Sequence, residues 1–586
     1  MTAPDPSHRH EQNGAHKPMS NFTLNPVPEH GVTRRDITDQ FFFFLKQLKK
    51  SNLTEKQSLR DIGKAVMSQV RWGSYETSQL NQAARKHPDR LGLVDDDGER
   101  TFAQFWEDVN RLALGLQRRG IGEGSRVAVL ARNGRAAIYP LCARHLLGYH
   151  IFMINANASA EQIERVLDFH EIELIIVDEE FLDRMNEGSR NRDLVIGHVD
   201  TDEEAGPGER EDISGFDTMQ DVIDSARVTD SLPFRPGQSR HIVLTSGTTG
   251  MPKGVVRRVT RSPQPAAPIL AAIPWRPGMT LMLTAVLFHA YGWANLLMAL
   301  LTGSTIIARR TFDPAQAIDD IRRYDITAMA SAASRLRALY RYMDENGIEK
   351  VDGLEFIVSA GSPLTPHEIQ EAERKFGRVL CNCYGSTETA TLAMARPEEL
   401  AADPTLSGVV YPGTRVEIRD ENDELVPEGE TGNIFVGAYD MFLGYTDPTV
   451  PVKVVNGLVP MGDKGYFTEG NHLHVLGRAD DMVITQSAEK IFPSELEDRL
   501  TRDPRIADVT VHGVPDEHFG QALRAYIIRA EGVTPAELDA EEVRRILRES
   551  LSDAHAPRDV FFVEEFPRNP MGKVIRPQLP GRSTVE

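Results

Sequence analysis

Strands that alternate with helices, a late β-rich stretch and a smaller C-terminal unit predict an α/β fold with a separate end domain. The alternation starts at about Tyr75. Arg126–Asn133 (RVAVLARN) reads as a strand and loop, and the Ala- and Leu-rich stretch after it as a helix. Glu173–Glu180 (ELIIVDEE) is another strand. Pro314–Tyr324 predicts a helix, ITAMASA a strand and Ser334–Met343 a helix. LEFIVSAG then predicts a strand, Thr365–Phe376 a helix and RVLCNCYG a strand. Such alternation implies parallel sheets built from βαβ units. Val416–Gly437 changes character: short strands with acidic and glycine turns predict a β-rich subdomain. After Gly477 the rest of the chain reads as a smaller α+β unit.

Residues Met1 to about Val32 are polar and read as a disordered tail. The segment DITDQFFFFLKQLKK (Asp36–Lys50) predicts a helix capped by Asp36 or Thr38. Phe41 to Phe44, Leu45 and Leu48 form its apolar surface, and Lys46, Lys49 and Lys50 its basic one. Such a helix either packs on the main domain or a partner, or rests peripherally on a membrane. Four consecutive phenylalanines wrap more than one helical face, which favours packing.

The chain has 586 residues, more than one ordinary domain holds. Its formal net charge of −20 argues against sequence-independent nucleic-acid binding. An anionic substrate needs local cations against that field. The three cysteines, Cys142, Cys381 and Cys383, make no disulfide framework, so a reducing cytoplasm is the simplest setting. Cys381 and Cys383 share one face of a strand but lack further ligands in sequence for a metal. No stretch approaches the ~20 apolar residues of a membrane span. The N-terminus has no apolar signal core, so export is not expected.

Chemistry concentrates in a few short segments. LTSGTTGMPKG (Leu244–Gly254) follows the apolar run Ile242–Leu244, which reads as a buried strand. Gly247 and Gly250 let the loop turn its amides inward around an oxyanion. Thr245, Ser246, Thr248 and Thr249 add donors, and Lys253 a point charge. No GK[ST] follows, so this is not the Walker pattern. SAGSPL (Ser359–Leu364) places the small residues Gly361 and Ser362 where a planar base fits along the backbone. In CYGSTETA (Cys383–Ala390), Tyr384 and Gly385 offer a flat face and close approach, and Thr387 a hydroxyl for phosphate. Glu388 is a candidate Mg²⁺ ligand, since Mg²⁺ takes few carboxylates plus phosphate oxygens. Asp463 in MGDKGYF can accept both ribose hydroxyls, and Arg478 in LGRADD offers a fixed fork of donors. VLFHAYGW holds His289 and Trp293 before an apolar run, and RNPMGKVIR holds the single Lys573.

Taken together, these motifs resemble those of the adenylate-forming enzymes, the acyl-CoA synthetase superfamily, and are most like a fatty-acid–CoA ligase. The resemblance covers about residues 75 to 580, with at least six motifs in order. It implies a large N-terminal domain (75–477) of layered α/β subdomains plus a β subdomain. A small mobile α+β lid (478–586) would follow a hinge near Asp480, with residues 1–74 as a polar tail and helical extension. The implied chemistry uses ATP, Mg²⁺ and coenzyme A. A medium- or long-chain fatty carboxylate attacks the ATP α-phosphate, and a thiol then attacks the acyl adenylate. Lys253 and Thr248 would hold the β and γ phosphates, Glu388 Mg²⁺, and Thr387 the α-phosphate. Lys573 would bridge carboxylate and phosphate in the transition state. Asp463 and Arg478 would anchor the ribose, and His289 and Trp293 would line the acyl pocket.

One departure bears on the second step. Ser487 and Ala488 stand where the family commonly carries glycine beside the pantetheine. Their side chains favour a slower thioester step. A carrier-protein acceptor, as in a fatty acyl-AMP ligase, therefore stays open. A non-catalytic nucleotide-binding relative is the third reading, opposed by Lys253, Glu388, Asp463 and Lys573.

Overall fold

A computed structural model describes residues 34–53, 59–73, 75–200, 213–227, 229–245, 253–258, 264–484, 490–516, 520–568 and 573–580. Two sheets dominate. The first has eight strands, ordered by chain position as 442–445, 253–257, 241–245, 150–153, 126–130, 174–177, 193–196 and 217–218. Its pairings from 241–245 to 217–218 are parallel, and the two strands at the other edge are antiparallel. The second has thirteen strands, six of which form a continuous parallel run with Leu91–Asp95 at its margin.

The predicted alternation appears at the expected places. Strands Arg126–Leu130, Leu174–Val177, Ala328–Ser331, Phe356–Ala360 and Leu380–Ser386 are present, as are helices Arg135–Leu147, Pro314–Arg323, Ala333–Glu345 and Pro366–Phe376. Thr365 caps the last of these in a capping box with Glu368. The β-rich stretch is continuous with the parallel sheet. The chain reverses from Leu380–Ser386 into Ala390–Ala395, and the antiparallel strands through Thr414–Arg419 extend the same sheet. The C-terminal unit has a three-stranded sheet and two helices around its own apolar cluster, which includes Val511, Ile527 and Leu547.

The N-terminal extension packs into the main body. Its first helix spans Arg34–Lys50, so Asp36 lies in the first turn and does not cap it. Phe44 is buried in the large core with Gln40 and Gln47 alongside, and Phe43 stacks on Tyr411. Phe41, Phe42 and Leu45 point outward. The phenylalanine run therefore serves two faces. The second helix, Leu59–Trp72, lays Trp72 against Trp106 at 5.7 Å. No helix among the described residues is long and apolar enough to cross a membrane.

Several histidines are buried as neutral rings. His150, His170 and His289 are each held down to about 4, chiefly by burial. Unfolded histidine titrates near 6.5. Between about pH 6.5 and 4 the unfolded chain therefore binds more protons. Stability should fall as pH drops through that window, each ring contributing at most about 3 kcal/mol. Urea unfolding at pH 7.5, 5.5 and 4.5 checks this, and an unchanged midpoint would contradict it.

Candidate active site

Four parallel neighbours, Thr280–Leu283, Ala328–Ser331, Phe356–Ala360 and Leu380–Ser386, end at one edge of the large sheet. Carboxyl ends of parallel strands are the usual ligand position in α/β folds. His289 follows the first strand, Gly361 and Ser362 the third, and Tyr384 to Glu388 the end of the fourth. In the other sheet, strand His241–Thr245 leads toward the phosphate loop. Ser246, Gly247, Thr248, Thr249 and Gly250 lie outside the described residues. Thr245 and Lys253 flank them as register partners, and the Thr245 hydroxyl donates to the Lys253 carbonyl at 3.3 Å.

Gly361 has φ +90°, a conformation that costs glycine nothing. The buried hydroxyls of Ser359 and Ser362 have no hydrogen-bond partner among the described residues. Buried polar groups of this kind normally find one, and a nucleotide would supply it. At Gly385, a Cβ would stand 2.0 Å from the Ala390 carbonyl oxygen, so only glycine fits. The Ser386 amide donates to the Thr389 hydroxyl at 3.2 Å, and the Thr389 amide to the Ser386 hydroxyl at 3.3 Å. This closed turn presents Thr387 and Glu388.

Three residues that the sequence reading missed hold that turn. The Tyr445 hydroxyl donates to Glu388 Oε1 at 3.1 Å. Arg257 donates to the Thr387 carbonyl at 2.6 Å, and faces Asp440 at 3.9 Å. Burial lowers the pKa of Arg257 and raises that of Asp440. The Lys253 ammonium lies 5.6 Å from the centre of the Tyr445 ring, within cation–π range. One sequence signal was present: an arginine ends the otherwise apolar strand GVVR. Among the described residues no cluster of three or more His, Cys, Asp or Glu is placed to hold a metal, Cys381 and Cys383 included. Glu388 as a lone carboxylate suits Mg²⁺, which keeps phosphate oxygens and waters as its other ligands.

The ribose candidates are brought together. Asp463 and Arg478 are register partners across an antiparallel hairpin, 3.5 Å apart between charged atoms. The Tyr384 hydroxyl donates to Asp463 Oδ2 at 2.6 Å. Arg478 also donates to the Met461 carbonyl at 3.0 Å and to Asp480 at 3.1 Å. Gly462, at φ +76°, leaves room for that guanidinium, 2.7 Å from where a Cβ would stand. Burial raises the pKa of Asp463, while Tyr384, Arg478 and Lys573 pull against it. Lys573 of the C-terminal segment is thus one of the charges felt by Asp463. An Arg576–Asp481 ion pair ties the same segment to the Asp480 region. Ser487 and Ala488 lie outside the described residues.

His289 precedes helix Ala290–Thr302, and its buried Nε2 has no hydrogen-bond partner among the described residues. Trp293, one turn into that helix, is fixed. Its indole N–H donates to Glu76, which pairs with Arg144 at 3.1 Å. Its ring lies edge-on to His241 at 4.8 Å and parallel to Tyr75 at 6.5 Å. The sequence reading missed Glu76 and Arg144.

The edge thus gathers hydroxyls, the lone Glu388 carboxylate and the Asp463–Arg478 pair, with Lys573 of the C-terminal unit among the charges felt by Asp463. The chain matches the AMP-binding enzyme family over residues 80–446, and the AMP-binding enzyme C-terminal domain over 495–573. It is 28% identical over 519 residues to a 7a-methyl-1,5-dioxo-octahydroindenyl-propanoyl:CoA ligase of Rhodococcus jostii, covering 85% of this chain and 97% of the relative. It is 26% identical over 527 residues to a fatty acid–acyl-carrier-protein ligase of Streptomyces coeruleorubidus, covering 85% and 94%. An anthranilate CoA ligase solved with anthranoyl-AMP shares the fold at TM-score 0.75 and 21% identity, over 86% of this chain and 96% of that one. From motif order, site geometry and these matches, the chain belongs to the AMP-binding enzyme family, whose adenylate-forming CoA ligases use ATP, Mg²⁺ and coenzyme A.

Proposed function

We propose that the protein activates a medium- or long-chain fatty acid as its acyl adenylate and passes the acyl group to coenzyme A. The observation that carries this reading is the Tyr384–Asp463–Arg478 cluster beside the Glu388 turn, with Lys573 among the charges felt by Asp463. A carboxylate oxygen would bond the α-phosphorus of ATP while the bond to pyrophosphate breaks. The thiol would then lose its proton, its sulfur bonding the acyl carbon as the bond to AMP breaks. Lys573 would offset charge on both reacting oxygens in the first step. Glu388 would hold Mg²⁺, which offsets charge on the departing pyrophosphate. Lys253 and the loop hydroxyls would hold the outer phosphates, and Asp463 and Arg478 the ribose. Rotation at Asp480 would then withdraw Lys573 before the second step.

Trp293 and the apolar helix after it support an alkyl substrate. Pyrophosphate release over C4 to C20 acids and aryl acids, with and without CoA, tests this. Each buried CH₂ should add about 0.8 kcal/mol to transition-state binding up to the pocket's length. A preference for acetate or benzoate-type acids would refute the fatty class. The Streptomyces relative, named for a carrier-protein acceptor, favours a second reading of the thiol step. Competition between CoA and a phosphopantetheinylated carrier separates the two. We also propose peripheral membrane contact through the first helix, supported by exposed Phe41 and Phe42 beside Lys46, Lys49 and Lys50. Failure to co-sediment with anionic vesicles would refute it.

A further inference from the structure

Arg335 stands out among the arginines near the site. Strands Thr280–Leu283 and Ala328–Ser331 are parallel neighbours, so the loops that leave them emerge side by side. The Thr284 hydroxyl meets the Ala330 carbonyl and the Ser331 hydroxyl, each at 3.0 Å, and locks the two loops together. One loop leads to His289. The other leads into helix Ala333–Glu345, whose first turn carries Arg335.

Two features there lack a negative partner. The N-cap of that helix is Ala332, which has no side chain to satisfy the first amides. Arg335 puts a cation at the positive end of the helix dipole, where a carboxylate is the usual occupant. Its guanidinium donates to the Thr284 carbonyl, lies 5.8 Å from the Phe312 ring centre, and lines a small cavity whose two carboxylates, Asp313 and Asp320, form no ion pair with it. Arg309 and Arg310 line the same cavity, but each has its own carboxylate, Asp320 for one and Asp178 with Glu180 for the other. Arg337, one residue beyond Leu336, has Glu368. Arg335 has no carboxylate partner among the described residues, and burial pushes it down to about 10. Its charge in turn helps burial hold His289 neutral. The imidazole can thus offer a hydrogen bond but no charge. A buried cation without a counter-charge is costly until an anion arrives.

We propose that Arg335 is an oxyanion-binding residue of the active site, with His289 and the uncapped first turn of its helix as its neighbours, and that its ligand is an anionic group of a substrate. The shared chemistry is a singly charged oxyanion. Two sources fit: the carboxylate of the acid, or a phosphate of coenzyme A. The inference rests on the proposed ligase reading.

The test uses the full chain and the best acid from the pyrophosphate screen. Titration calorimetry compares that acid, its uncharged primary amide, CoA, dephosphorylated pantetheine and ATP, on native, Arg335→Met and Arg335→Lys chains. The expected result is at least a tenfold loss by Arg335→Met for one anion, with ATP unchanged and partial recovery in Arg335→Lys. Loss for the acid but not its amide assigns the carboxylate. Loss for CoA but not pantetheine assigns the phosphate. Circular dichroism melts confirm that the variants fold, and Arg335→Lys keeps the test open if Arg335→Met does not. Equal affinities of native and variant chains for both anions would overturn the proposal. If no acid releases pyrophosphate on the native chain, it is the ligase reading that fails.

Discussion

Lys573→Ala is expected to slow adenylate formation by at least about a hundredfold, the scale seen when one preorganised charge donor is lost from a transition state. The lysine belongs to the C-terminal unit, and its charge is among those felt by the partly buried Asp463 carboxyl. It is exposed to solvent, so little packing is lost with it. ATP affinity should change little, because Asp463, Arg478, Tyr384 and the Glu388 turn all stay in place. Preformed acyl adenylate should still be consumed by CoA at close to the native rate. Rapid-quench measurement of pyrophosphate and thioester separates the two half-reactions. Near-normal pyrophosphate release by the variant would remove Lys573 from the chemistry.

Arg144→Met should be the most damaging single change outside the chemistry. Glu76 is fully buried and Arg144 nearly so, and the carboxylate also receives the Trp293 indole. Removing the arginine leaves a buried carboxylate with one neutral donor. Breaking a buried pair in this way costs about 3–5 kcal/mol. Adding Glu76→Leu to the same chain should restore most of the loss, since the uncompensated charge goes with it. Denaturant melts of the single and double variants check this. Equal destabilisation by Arg144→Met alone and by the pair would mean that the charge is not the cause.

The periodic parts of the fold were legible because a strand or helix announces itself within a few residues. The parallel strands and helix Pro366–Phe376 are of this kind. Cys383–Ala390 could be singled out for the same reason, as a contiguous string at a strand end, whereas most of Leu244–Gly254 lies outside the described residues. What stayed hidden depends on distance along the chain. Arg257 meets the Thr387 carbonyl 130 residues away, and Trp293 meets Glu76 across 217. Neither local propensity nor spacing carries that information. The junction of the β-rich stretch with the parallel sheet was hidden for a related reason. Pattern reveals a strand but not its neighbour. Asp36 misled because the helix starts at Arg34, and an acidic residue suits the first turn as well as the cap.

One guanidinium, that of Arg478, serves both Asp463 and Asp480. Two carboxylates that share one cation are thermodynamically linked, each holding it at the other's expense. On the proposed reading, one of them grips the sugar and the other is the pivot of the lid. Nucleotide retention and lid rotation then become reciprocal: a turn that carries Asp480 away returns the cation to Asp463 and tightens the hold on AMP. AMP, freed in the thiol step, would then leave late. Asp480→Asn should accordingly bind AMP more tightly than the native chain, and calorimetry showing equal or weaker binding would uncouple the two.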